Sequence, residues 1–439
     1  MECTFVTPRD RDGKVGARKL RVRKSWLAFA VLAIAIVGAF TVWSVGRGAE
    51  AGEDEASPGL RTVLEVISLI KTQYVDDVDT VALIGGYLET GTINGMLREA
   101  IDDPYTRFMD ARAFQQMQID TQGEYGGIGI TVALQDGKLT IIAPFEGTPG
   151  HAAGLRSGDT IVSIDGKPTE YMSLDEAVSL MRGPEGSPIR LGIQRRDQEP
   201  FEVEIVRAII QVPSVTRTEV FPAGTFPGQR DRIGYIRLQR FSERTNEEME
   251  EALRRLEREE VAGIILDLRD NPGGTLEAAI DVANKFLSNG PILHIVARNQ
   301  QRRTISAFPR GTHPPHPMVV LVNGYSASAS EIVAGALQDH GRAQLVGTTT
   351  FGKGLVQTIV PLRDGSALSL TSARYQTAGG RFIHETGIEP DHIVEWPQPE
   401  EDEEIGAVAE PVELDEDPQF LKAVEVLGEM IREASRQAG

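Results

Sequence analysis

Two apolar runs constrain this chain more than anything else in it. Gly263 to Leu268 and Met318 to Val322 are almost continuously apolar, without the alternation of a half-exposed strand. Runs this short and this uniform predict strands covered on both faces. Each feeds a turn of small or polar residues. Arg269-Asp270-Asn271-Pro272-Gly273-Gly274 follows the first, and Tyr325-Ser326-Ala327-Ser328-Ala329-Ser330-Glu331 follows the second. The serine-rich turn enters a helical run, Glu331 to Gln338. Glu247 to Glu259 is a charged amphipathic helix whose ionic residues form a solvated face. Ile233 to Leu238 opens this part of the chain as a strand, and Gln344 to Gly347 is a later one. Strands and helices alternating in this way predict a layered α/β core.

The serine turn is placed for chemistry. A strand-to-helix turn exposes its hydroxyl, and the backbone N–H groups that follow lie at the positive end of a helix dipole. An oxyanion is stabilised at such a place. A glycine pair after a buried strand, as at Gly273-Gly274, suits a further N–H donor. Lys353 stands between Gly352 and Gly354, and Gln357 lies one helical turn, or an even number of strand positions, beyond it. Lys353 and Gln357 therefore share a face in either conformation. A serine hydroxyl needs a base to take its proton. An amine serves only when neutral, so its pKa near 10.4 must fall, and burial lowers it. Phe351, Leu355 and Val356 are the apolar neighbours expected to supply that burial. Alone, the serine run is ordinary small-residue packing and the lysine a solvated loop. Their order, spacing and flanks carry the catalytic reading, as a Ser-Lys variant of triad logic. A Ser-His-Asp arrangement fits less well. Asp339 and His340 fall at the far end of the helix, roughly 17 Å from Ser328.

Ahead of the core, residues 111–208 read as a mainly β module. Gly126-Gly127-Ile128-Gly129-Ile130 opens a strand, and Ile161 to Ile164 runs into an Asp165-Gly166 hairpin signal. Leu174 to Met181 is a helix, followed by Arg182-Gly183-Pro184-Glu185-Gly186. This pattern looks like a PDZ domain. The resemblance implies capture of a peptide's C-terminal carboxylate by backbone N–H groups at Gly127, Ile128, Gly129 and Ile130. Arg182 is a gating candidate, a rigid fork of donors expected to bridge to the catalytic domain.

The ends of the chain differ from its middle. Residues 1–24 carry eight Lys/Arg against three Asp/Glu, while the whole chain has a net charge of −19, which excludes nucleic acid as the expected partner. Trp26 to Val45 is a 20-residue apolar run with tryptophans near its ends, long enough to span a bilayer. The basic side then stays in the cytoplasm. The catalytic part lies on the periplasmic or extracellular side of the cytoplasmic membrane, with residues 25–46 as a single-pass anchor. Cleavage near Ala49-Glu50-Ala51 as a signal peptide is the competing reading. Residues 47–58 are a linker. Residues 59–110 form a helical region with a stripe at Leu60, Val63, Val66, Ile67, Ile70 and Tyr74, ended by Asp102-Asp103-Pro104-Tyr105-Thr106. Residues 209–396 are the core, and 397–439 an acidic linker with a final amphipathic helix carrying Leu421, Val424, Leu427 and Met430/Ile431 on one face. The one cysteine, Cys3, excludes an intramolecular disulfide, and the seven histidines show no metal-ligand spacing. No cofactor or metal is expected.

The Ser326–Glu331 run, the Phe351-Gly352-Lys353-Gly354 turn and Gln357 resemble the signature of the carboxyl-terminal processing (tail-specific) serine peptidases. The likeness extends over nearly all of residues 60–395. It implies an α+β multidomain chain whose core is a mixed α/β sandwich. By position, Ser328 matches the family nucleophile, Lys353 its general base and Gln357 the residue that orients the lysine. Gly274 (or Gly273) and Ala329 match the oxyanion donors. Substrates would be proteins or peptides with free C-termini, and the N-terminal region resembles one that joins subunits, so a homo-oligomer is the expected assembly. The competing class is a membrane-anchored PDZ scaffold with an inactive protease-like core, which need not retain all three of Ser328, Lys353 and Gln357.

Overall fold

The two apolar runs lie at the heart of a six-stranded sheet. The computed structural model describes residues 58–396, apart from Asp136 and Asp197, and residues 413–438. The sheet runs Val215–Phe221, Ile233–Leu238, Gly263–Asp267, Met318–Val322, Gln344–Gly347, His392–Ile393. Its first pair is antiparallel and the other pairs are parallel. Every residue of Gly263–Asp267 and of Met318–Val322 is buried. Alternation decides what buries them. Ile264, Leu266, Met318, Val320 and Val322 pack with helices Thr245–Arg258, Leu276–Phe286 and Ala329–Asp339. Ile265, Val319 and Leu321 face the other way, onto helix Pro418–Ala438. The final helix therefore docks on the core, through Phe420, Ala423, Val424, Leu427 and Ile431, while Leu421 and Met430 are only partly buried. Arg269 pins its start, bonding Asp267, Asp417 and Gln419.

A second, five-stranded sheet is organised around the long strand Ala367–Thr377, which pairs with Arg107–Met109, Pro291–Ala297 and Leu355–Pro361. Helix Ala329–Asp339 packs between the two sheets, which gives the α/β sandwich. The N-terminal helices Pro58–Gln73, Thr80–Thr90 and Ile93–Ala100 cover this second sheet, with Val66, Ile70, Leu83 and Met96 against Leu368 and Leu370. Leu60, expected in the apolar stripe, is exposed instead.

The β module has strands Ile130–Gln135, Lys138–Pro144, Thr160–Ile164, Pro188–Gln194 and Phe201–Val206 around a core of Ile141, Ile161, Ile164, Leu191 and Ile193. Asp165 and Gly166 both have positive φ, as a tight hairpin requires. Helix Ala111–Gln122 leads in. Glu124–Gly127 pairs with Ala208–Gln211, tying the module's entry to its exit. Among the described residues no helix is long and apolar enough to cross a membrane. The run Trp26–Val45 and the acidic linker up to residue 412 lie outside the described residues.

Candidate active site

Ser328 is the hinge between the central strand and its helix. Its φ of 56° and ψ of −110° lie where residues other than glycine are strained, and such strain persists only when the surroundings over-determine it. Several contacts do so. Ala327 N–H donates to Asn271 O at 3.0 Å, Tyr375 Oη donates to Ser328 O at 3.0 Å, and Ser328 N–H donates to Glu331 Oε2 at 2.8 Å. The neighbouring serines have separate tasks. Ser326 Oγ donates to Leu268 O at 2.8 Å and Ser330 Oγ to Asn271 O at 2.9 Å, and both are fully buried. They join the serine turn to the glycine turn. Ser328 alone of the three stays partly exposed.

The glycine turn lies directly against Ser328. A Cβ on Gly273 would come within 2.9 Å of Ser328 Cβ and of Ala329 N. Gly273 N–H is already committed, donating to Asn271 Oδ1 at 2.9 Å. Among the described residues, no acceptor bonds the N–H of Gly274 or of Ala329. Two backbone donors thus remain next to the serine, and Gly274 rather than Gly273 is one of them.

Lys353 Nζ donates to Gln357 Oε1 at 3.2 Å and lies 4.6 Å from the centre of the Tyr105 ring. Gln357 Nε2 in turn donates to Tyr105 O at 3.0 Å. Burial pushes the Lys353 amine below the usual lysine range and nearby Arg107 adds to the effect, against the pull of Asp103 and Glu331. The predicted apolar lining is only partly present. Leu355 is buried and Val356 half-buried, but Phe351 is 52% exposed. The aromatic surface over the amine comes instead from Tyr105, in the turn that ends the N-terminal helical region. The two glycines let the turn His384–Gly387 sit close, since a Cβ on Gly352 would meet Gly387 N at 2.9 Å and one on Gly354 would meet His384 N at 2.8 Å. Among the described residues no hydrogen bond joins Ser328 Oγ to Lys353 Nζ.

Glu331 closes the serine-turn motif at the start of the helix. It is fully buried, and its carboxylate joins the two turns. Oε1 accepts from Thr350 Oγ1 at 2.6 Å and Gly352 N–H at 2.7 Å, while Oε2 accepts from Ser328 and Lys353 N–H. Asp339 and His340 take no part. Asp339 pairs with Arg381, and His340 Nε2 bonds Pro291 O.

In the β module, the carbonyls of Ile128 and Gly129 are used internally, accepting from Gly150 N–H and Phe145 N–H. Among the described residues the N–H groups of Ile128 and Gly129 have no acceptor. Gly129 has φ +73° and sits against Thr148. These two free donors are flanked by Gly127 and Ile130, and adjacent backbone N–H groups of this kind suit a carboxylate. Arg182 does not reach the peptidase core. It bonds Gln116 and lies 4.8 Å over the Tyr125 ring, on the helix and strand that lead into the module.

A serine on a strained strand-to-helix turn, free N–H donors beside it, a half-buried lysine and a PDZ-like module together define a peptidase of the tail-binding class. Comparison with known proteins agrees. Residues 232–394 match peptidase family S41, residues 141–195 a PDZ domain, and residues 40–113 the activating protease CtpB N-terminal domain. The chain is 41% identical over 345 residues to a carboxy-terminal-processing protease of Bartonella bacilliformis, covering 76% of this chain and 75% of that one. It is 36% identical over 348 residues to carboxy-terminal processing protease CtpB of Bacillus subtilis, covering 79% and 70%. A solved structure titled photosystem II D1 C-terminal processing protease is 31% identical, covers 77% of this chain and 94% of that one, and superposes with a TM-score of 0.49. The chain belongs to the carboxy-terminal processing proteases of peptidase family S41.

Proposed function

We propose that this protease is a serine endopeptidase with Ser328 as nucleophile and Lys353 as general base. One observation carries the reading: a half-buried amine of lowered basicity is held by Gln357 in a turn tied through Glu331 to the serine. Ser328 Oγ attacks the scissile carbonyl as its proton passes to Lys353 Nζ. The carbonyl oxygen becomes an oxyanion facing the N–H groups of Gly274 and Ala329. The C–N bond then breaks, and Lys353 returns the proton to the leaving amine. Water hydrolyses the acyl-enzyme, its proton passing through the same lysine. Gln357 orients the amine. Closing the gap between Ser328 Oγ and Lys353 Nζ is a population shift that substrate binding drives.

The PDZ domain holds the C-terminal tail of the protein substrate, the terminal carboxylate resting on the free N–H groups of Ile128 and Gly129 between Gly127 and Ile130. Trp26–Val45 anchors the chain in the cytoplasmic membrane, the catalytic part outside. Its length, end tryptophans and basic flank support this. A fluorophosphonate probe tests the catalytic assignment. It should label the full chain at Ser328 and leave Ser328→Ala unlabelled. Equal labelling of both would overturn it. Protease added to intact spheroplasts tests the topology, and protection of the region after Arg47 would reverse it.

A further inference from the structure

The catalytic lysine is built from two distant parts of the chain. We propose that Tyr105 is a positioning residue of the active site, its ring shielding the Lys353 amine from water and its carbonyl anchoring Gln357. The N-terminal helical region would then carry part of the catalytic base. The inference rests on Lys353 being that base.

The turn that presents Tyr105 is itself held. Asp103 accepts Tyr105 N–H at 2.8 Å on one oxygen and Thr106 Oγ1 at 2.7 Å on the other. Thr106 Oγ1 accepts Thr371 N–H at 3.1 Å. The next residues, Arg107–Met109, pair with one edge of strand Ala367–Thr377, with Arg107 opposite Ser369. Leu355–Pro361 pairs with its other edge, with Gln357 opposite Thr371. Thr371 is therefore the shared register point. Both the tyrosine turn and the glutamine strand are positioned against it, so the separation of Tyr105 and Gln357 is set by sheet pairing rather than by loop conformation.

Tyr105 acts on the amine in two opposed ways. An aromatic face attracts a cation and so favours the protonated lysine. A ring that excludes water disfavours it. Burial is the leading cause of the lowered basicity of Lys353, and the Tyr105 ring, centred 4.6 Å from the amine, is part of what buries it. The charged and titratable groups around the amine are known from each packed element. Arg107, Asp103 and Tyr105 come from the N-terminal region, and Glu331 from the serine helix. His384 and Glu385 come from the turn packed on Gly352, where His384 Nδ1 lies 3.3 Å from Gly352 O and its ring meets Tyr105 edge-on at 6.5 Å. A cavity of about 340 Å³ lined by Tyr105, His384, Phe351 and Leu355 opens beside this cluster, so water is at hand if the ring is removed.

The test is the pH dependence of kcat/KM on a peptide substrate, with the full chain, in Tyr105→Phe and Tyr105→Leu. Both are repeated in a His384→Gln background, so that histidine titration is not mistaken for the lysine's. Tyr105→Phe keeps ring and carbonyl and should follow the parent profile. Tyr105→Leu should lose about tenfold at neutral pH, corresponding to one pH unit of displacement, and recover to within about twofold at alkaline pH. A uniform loss at every pH would mean that Tyr105 is merely structural, and an acid displacement would mean that ring attraction prevails. Either overturns the proposal. If Tyr105→Leu does not fold, Tyr105→Met, of closer length and still without a ring, gives the same readout. Lys353→Ala separates the two levels. Activity in that variant defeats the Lys353 assignment, whereas an inactive Lys353→Ala beside an undisplaced Tyr105→Leu defeats this proposal alone.

Discussion

Ser328 and Lys353 give their backbone N–H groups to the same oxygen, Oε2 of Glu331, at 2.8 and 2.9 Å. With Thr350 Oγ1 and Gly352 N–H on Oε1, all the contacts to this buried carboxylate are donors. A carboxylate satisfies four donors, whereas an amide of the same shape turns its NH2 group toward two of them. Each buried donor left without an acceptor costs about 1–3 kcal/mol. Glu331→Gln should therefore lose several kcal/mol of stability and most of its turnover, because both catalytic turns loosen together. Urea unfolding and single-turnover cleavage would read the two effects. A stable and fully active Gln variant would show that the turns hold without the carboxylate.

As the proposed general base, Lys353 works only as a neutral amine, so turnover should rise with pH through its lowered titration. Lys353→Arg stays charged and should be inactive. Stability should rise with pH as well. The folded state lowers the lysine's affinity for protons, so the unfolded state binds more protons below the ordinary lysine range and the charged amine costs stability at neutral pH. Above that range the cost vanishes. Lys353→Met should thus be inactive yet more stable at pH 7, with the difference closing toward alkaline pH. Urea midpoints across pH check this. A destabilised Met variant contradicts it.

Gly274 has φ +149°, and a Cβ there would lie 1.8 Å from Phe241 O. No rotamer relieves a backbone clash of that kind. Gly274→Ala should abolish activity and cost about 3 kcal/mol or more, or fail to fold. A folded, active Ala variant would remove Gly274 from the oxyanion role.

The last helix should unfold with the core rather than ahead of it. Phe420 is fully buried and meets Phe226 and Tyr235 edge-on at 5.0 and 5.5 Å. Phe420→Ala should cost about 3–5 kcal/mol in one transition. Acid attacks the same junction. Burial alone would raise the Asp267 carboxyl, but Arg269 together with Arg237 outweighs it and keeps it below the ordinary range. Its contribution is present above the unfolded carboxyl pKa and is lost as pH falls below that value. Hydrogen exchange at decreasing pH should show residues 418–438 and strand Gly263–Asp267 opening together. Separate opening of the helix would argue against the coupling.

Arg182 bonds Gln116 and covers Tyr125, so it couples the PDZ domain to helix Ala111–Gln122, which follows the strand beside Tyr105. Arg182→Ala should leave the binding of tail peptides unchanged and slow cleavage of tailed proteins a few-fold, since exposed contacts of this kind are individually weak. Fluorescence titration and protein cleavage assays compare the two. Lost peptide affinity would place Arg182 in the groove instead.

Much of this was legible in the amino-acid order, because it is local. Uniform apolar runs announce strands covered on both faces, and they proved central. A serine between small residues before a helix, and a lysine between glycines, mark turns by their composition, although contacts from Asn271, Tyr375 and Glu331 fix the conformation of those turns. The PDZ-like order of strands and the Asp165-Gly166 hairpin are likewise short-range. Tertiary structure decided what long-range packing alone can decide. It put Tyr105, not Phe351, over the lysine, because strand Ala367–Thr377 takes the N-terminal strand on one edge and the Gln357 strand on the other. It made Glu331 the junction of two turns, since four donors from two loops converge only when the loops are adjacent. It left Gly274 rather than Gly273 with a free N–H, because Asn271 folds back on Gly273. It seated Phe420, not Leu421, against the sheet. Periodicity marks an apolar face, but the neighbours that cover it come from elsewhere in the chain.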